Sequence, residues 1–68
     1  MAIINAQISN KDKLLQEIQI IKAQLQNAST HFELESDSDL IESTIYEIEA
    51  LKARYRYLVK SAKAVEVN

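Results

Sequence analysis

The chain has 68 residues and contains no glycine, no proline and no cysteine. Average usage predicts roughly five glycines and three prolines at this length. Glycine supplies positive φ angles and proline supplies fixed turns, so the tight turns of a many-stranded sheet are disfavoured. Glycine-rich phosphate loops, which need backbone without a Cβ close to the ligand, are excluded. So are disulfides, thiol catalysis and cysteine zinc sites. Long apolar runs are absent as well. The longest uncharged stretch, Met1 to Asn10, falls far short of the ~20 apolar residues a membrane span needs. It has no basic n-region and only a short apolar core, so a signal peptide is not expected. A cytoplasmic location is the default reading.

What is present favours helices. Apolar residues make up 47% of the chain and charged residues 26%, a soluble and foldable balance. The net charge of -2 gives no global pull toward nucleic acid or anionic membrane. The length is that of one small domain, residues 1–68.

The apolar pattern has helical period in two blocks. Leu14, Ile18, Ile21, Leu25, Ala28 and Phe32 are spaced 4, 3, 4, 3, 4, the signature of an a/d seam. Leu15 and Ile20 widen it. Backward extension meets Lys11 and Gln7, so helix one is expected over about residues 10–32, capped by Ser9 or Asn10. Residues 1–9, with Ile3, Ile4 and Ile8, either extend it or form a frayed arm. The second block, Ile41, Thr44, Ile48, Leu51, Tyr55, Leu58, Ala62 and Val65, is spaced 3, 4, 3, 4, 3, 4, 3. It predicts helix two over about residues 38–64, with 65–68 frayed. Leu40, Ile45 and Val59 flank this seam. The connector, about residues 33–37, is acidic and serine-rich, and Asp37 is the expected N-cap of helix two.

These elements predict an all-α fold, an antiparallel two-helix hairpin. The interaction seam is Leu14, Ile18, Ile21, Leu25 and Phe32 against Ile41, Ile48, Leu51, Tyr55 and Leu58. One seam buries little apolar area against the entropy of ordering the chain. The stripes are also wider than one seam needs, with Tyr46 beside Ile45 and Val59. Dimerisation into a four-helix bundle is the simplest remedy, and a larger helical partner is the other.

The charges are segregated. Positions 33–49 hold seven acids and no base, and positions 52–63 hold Lys52, Arg54, Arg56, Lys60 and Lys63 and no acid. Acids at a helix start and bases at its end complement the helix dipole, which is one sufficient explanation. Two copies of helix two packed antiparallel, each acidic half against the other's basic half, is another.

No motif for chemistry stands out. Glu33, Glu35, Asp37, Asp39 and Glu42 alternate in part like calcium ligands, but the glycine turn such a loop requires is missing. Capping and solvation account for them. Arg54-Tyr55-Arg56-Tyr57, with Lys52, Lys60 and Lys63 nearby, forms a basic patch that could touch phosphates and stack bases. Neighbours on a helix diverge by about 100°, however, so that tetrapeptide is not one platform. His31 is the only histidine, and no nucleophile–base–orienter set can be built around it. The expectation is a non-enzymatic protein with no cofactor and no metal.

One segment carries a family resemblance. Ile18, Leu25, Ala28 and Phe32 are followed by an acidic connector, Asp39-Leu40-Ile41, Ile45-Tyr46-Glu47, Tyr55, Tyr57-Leu58 and Ala62-Lys63. The stretch "DLIESTIYEIEALKARYRYLVKSAK" is its most specific part. This pattern resembles the YaaL-like family, short proteins of Firmicutes with no established activity. Relatives often place proline where this chain has Ser38, and tryptophan where it has Leu25. The resemblance implies a small cytosolic helical protein and supplies no catalytic residues. Small aspartyl-phosphate phosphatases of sporulation regulators are also helical hairpins. Their Ser-Gln-Glu-Leu-Asp motif is absent here, where the comparable stretch reads Ile45-Tyr46-Glu47-Ile48-Glu49-Ala50-Leu51. Three functions therefore stand, in order: a protein–protein interaction module, most simply a homodimer; a nucleic-acid-associated protein using the basic half of helix two; and such a phosphatase.

Overall fold

The computed structural model describes the backbone of residues 2–67 and the side chains of residues 10–65. Two helices, α1 (Ala2–Leu34) and α2 (Ser38–Val67), account for nearly all of it, and no strand occurs among the described residues. The chain is an all-α helical hairpin. Its longest dimension is 49 Å, which matches about 50 Å for the 33 residues of α1 at 1.5 Å per residue.

Both helices are longer than the seam pattern predicts. The backbone of α1 is already helical at Ala2, so Ser9 and Asn10 lie inside the helix and do not cap it. Nothing in residues 2–9 breaks a helix: they contain no proline or glycine, and a polar seam position such as Gln7 weakens packing without ending the backbone hydrogen-bond ladder. At its other end α1 continues to Leu34, and α2 runs on to Val67. The connector shortens to residues 35–37.

Asp37 is the N-cap of α2. Its Oδ1 accepts from the backbone amides of Asp39 at 2.9 Å and Leu40 at 3.2 Å. Its backbone carbonyl accepts from the Ile41 amide at 2.9 Å, the first rung of the helix. Two amides of the first turn that have no partner within the helix are thereby satisfied. Ser38 is the first helical residue. Among the described residues no backbone φ is positive, so the chain reverses without the conformation that favours glycine.

The core is thin. Ile18, Ile21 and Leu58 form a buried cluster, with Leu14, Leu25, Leu51, Tyr55, Val59 and Ala62 packed partly against it. Pairing residues 14–25 of α1 with 51–62 of α2 requires the helices to run antiparallel, as a short connector also demands. Nearer the connector the buried seam positions are the small residues Ala28 and Thr44. Phe32 was expected in the seam, but it stands 40% exposed. It lies beyond Ala28, the last buried position of α1, and two residues from the end of that helix.

Candidate interaction surface

Helix α2 carries two overlapping heptad rows. The first is Ile41, Thr44, Ile48, Leu51, Tyr55, Leu58 and Ala62. It faces α1, and Thr44 and Leu58 are buried in it. The second is Ile41, Ile45, Ile48, Lys52, Tyr55, Val59 and Ala62, spaced 4, 3, 4, 3, 4, 3. The rows share every second residue and differ by one position at 44/45, 51/52 and 58/59. One position turns the helix by about 100°, so the second row lies beside the first, around the flank of α2. None of its members is buried, and Ile45 is 43% exposed. A helix with two adjacent apolar rows is suited to pack against two neighbours at once. The hairpin supplies one of them.

The molecule as a whole is elongated, 49 × 25 × 13 Å. The accessible area is 5569 Å², whereas a compact monomer of 7.8 kDa exposes about 4,400 Å². The surplus of about 1,200 Å² is what two long helices side by side expose for want of a compact core, and it is spread over the whole chain. On α1 the exposed large apolar residues among those described are Leu15, Ile20, Phe32 and Leu34, and Leu15 and Ile20 point to opposite sides of the seam.

The charged residues follow the same geometry. Lys52, Arg56, Lys60 and Lys63 fall within an arc of about 80° on α2, while Arg54 points elsewhere. All five are exposed. Glu42 and Glu49 continue the same stripe toward the start of the helix. The helix dipole does not account for these bases. Its influence is confined to the last turn, and because α2 continues to Val67 its last turn holds no base. Of the acids on α2, only Asp39 lies in the first turn. Among the described residues no ion pair within the hairpin engages Glu42, Glu49, Arg56 or Lys63; Glu42 accepts one long hydrogen bond from the Tyr46 hydroxyl, at 3.4 Å.

The remaining candidate groups are dispersed. His31 and Glu33 are exposed near the end of α1, Glu35 is half-buried in the connector, and Asp37 is occupied by capping. Among the described residues no three of His, Asp and Glu come together in a way that could hold a metal ion. An open groove lined by Glu17, Ala50, Ala53, Arg54, Tyr57 and Leu58 runs along one side of the hairpin, where Ala50 and Ala53 leave the helix surface low. No described helix is long and apolar enough to cross a membrane.

A thin two-helix core, an open groove and an apolar flank that α1 covers only in part define a small helical hairpin protein. Residues 5–68 match the model of a family described as "Protein of unknown function (DUF2508)", and the chain belongs to that family. No curated protein and no solved structure matches it.

Proposed function

We propose that this protein is a non-enzymatic helical interaction module of the cytoplasm, in which the flank of α2 not covered by α1 is seated against further helices. The observation that carries this reading is the second apolar row of α2, which α1 covers only in part: Ile45 and Lys52 are exposed, and Ile41, Ile48, Tyr55, Val59 and Ala62 are half-buried. Apolar rows at heptad spacing recognise other helices, because knobs and holes need a matching periodicity. On the same reading the family is the YaaL-like one of Firmicutes, as the segment from Asp39 to Lys63 suggests.

The test is the stability of the hairpin as a function of what surrounds it. A helical partner, of its own kind or another, binds only the folded chain and raises its stability by mass action. Far-ultraviolet circular dichroism with urea should give a midpoint that rises with protein concentration or with added cytosolic extract. A midpoint unmoved by either would remove the reading.

A second reading draws on the stripe of Lys52, Arg56, Lys60 and Lys63, which could follow a phosphate backbone. It predicts strongly salt-dependent binding to duplex or single-stranded nucleic acid. Replacing Arg54, Arg56 and Lys60 with glutamate should abolish that binding. The acids Glu42 and Glu49 on the same stripe favour the protein partner.

A further inference from the structure

The charges beside the second row of α2 specify what covers it. Glu42, Glu49, Arg56 and Lys63 recur at intervals of seven along one edge of that row, the position that faces its counterpart across an antiparallel helix pair. Positions 42 and 63 are equidistant from the point between residues 52 and 53, and so are 49 and 56. A second α2 running antiparallel about a two-fold axis at that point would set Glu42 opposite Lys63 of the second copy. It would set Glu49 opposite Arg56 of the second copy, and the symmetry would repeat both pairs. The apolar row layers in nearly the same register: Ile48 beside Val59 of the second copy, Ile45 beside Ala62, and the aliphatic stem of Lys52 beside Tyr55 are pairs centred between residues 53 and 54, one residue or about 1.5 Å along the helix from the centre of the charge row. A parallel pair would instead carry the two charge rows to opposite edges of the contact, each facing the side of Thr44, Leu51 and Leu58, and would leave all four charges without complements. We propose that this chain forms a two-fold symmetric dimer through α2, antiparallel, with the layers Lys52–Tyr55 and Ile48–Val59 nearest its axis and the four-residue charge row setting its register. This deepens the interaction-module reading and rests on it, naming a second copy of the chain as the partner.

Two observations favour a second copy over another protein. The charge row is self-complementary about one point, as an isologous interface requires. Among the described residues its members have no ion-pair partner, and the dipole does not explain them.

Sedimentation equilibrium of the full chain tests the proposal, with charge-swapped variants as the discriminating arm. Glu42→Lys with Glu49→Arg makes the row all basic, and Arg56→Glu with Lys63→Glu makes it all acidic. Each variant alone should dimerise at least about tenfold more weakly, because four exposed attractive pairs become repulsive. Mixed, the two should form a heterodimer about as tight as the original homodimer. The swaps lie on exposed positions, and circular dichroism checks that helicity is kept. Because the chain lacks cysteine, a single introduced thiol reports geometry. Lys52→Cys, beside the axis, should cross-link to itself on oxidation. Glu42→Cys should not, since its two copies lie about 30 Å apart in the antiparallel arrangement.

Self-cross-linking of Glu42→Cys, or charge swaps without effect on a dimer that Tyr57→Ser dissociates, would overturn the proposal by placing the contact in another register or on another face. A monomer stabilised by a protein from cytosolic extract would overturn the second copy and leave the interaction module standing. A monomer stabilised by nothing would overturn both.

Discussion

The cap at Asp37 offers a direct energetic test of how this chain turns without glycine or proline. Replacing Asp37 with alanine removes the Oδ1 that accepts from Asp39 and Leu40 at 2.9 and 3.2 Å. Loss of such a cap costs about 1 kcal/mol, within a range of roughly 0.5–2. The carboxylate also sits at the positive end of the α2 dipole, worth a further ~0.5 kcal/mol at low salt. Asp37→Ala should therefore destabilise the hairpin by about 1.5 kcal/mol. Asp37→Asn keeps an accepting oxygen and loses only the charge, so it should cost about 0.5 kcal/mol. In a domain of this size each kcal/mol moves the melting temperature by about 4–8 °C. The alanine variant should melt about 6–12 °C below the parent and the asparagine variant about 2–4 °C below it. Thermal circular dichroism measures both, at one fixed protein concentration, since assembly makes the midpoint concentration-dependent. High salt should shrink the asparagine deficit and leave most of the alanine deficit, because salt screens the charge–dipole part alone. Equal deficits for the two variants would show that the Oδ1 hydrogen bonds contribute nothing. An alanine variant that melts with the parent would refute the capping argument altogether.

The other expectations can be put briefly. Ser38→Pro should stabilise the hairpin by about 0.4–1 kcal/mol in urea titrations, because the first helical position suits the fixed φ of proline and needs no intrahelical amide bond. Leu58→Ala empties a 3% exposed core position and should cost about 2–5 kcal/mol. A single small core rarely supplies more than about 3–5 kcal/mol in total, so circular dichroism should find that variant largely unfolded. Leu34→Ala, at a residue 78% exposed, should stay within about 0.5 kcal/mol of the parent. Raising salt should weaken self-association in sedimentation while leaving the seam between α1 and α2 intact, since the charge row is exposed and the seam is apolar.

Much of this molecule can be read residue by residue from the chain. The period of Leu14, Ile18, Ile21 and Leu25, and that of Leu51, Tyr55, Leu58 and Ala62, predicts two helices and the faces they bury, because a helix returns a side chain to one face every three to four residues. The Asp37 cap was legible because its requirements are local: an acceptor side chain just ahead of the first free amides. The hairpin follows from two seams and one short polar break. The helix ends were less legible. A seam pattern reports where partners touch, and a backbone ladder can continue past the last contact, as α1 does at Ala2 and α2 at Val67. The exposure of Phe32 escaped for a related reason, since periodicity assigns a face but not how far the partner extends along it.

By itself, then, the sequence determined an all-α hairpin, its buried faces, its cap and a segregated pattern of charge, all of which depend on spacing along one chain. Only the tertiary structure decided which of the two overlapping rows on α2 is taken by α1. Thr44 and Leu58 went inside, and Ile45 stayed in the open. The structure also carried α2 past its bases to Val67, which removed the dipole as their explanation. A pattern records every face a helix could bury. Packing chooses among them, because a two-helix molecule has only one partner helix to offer.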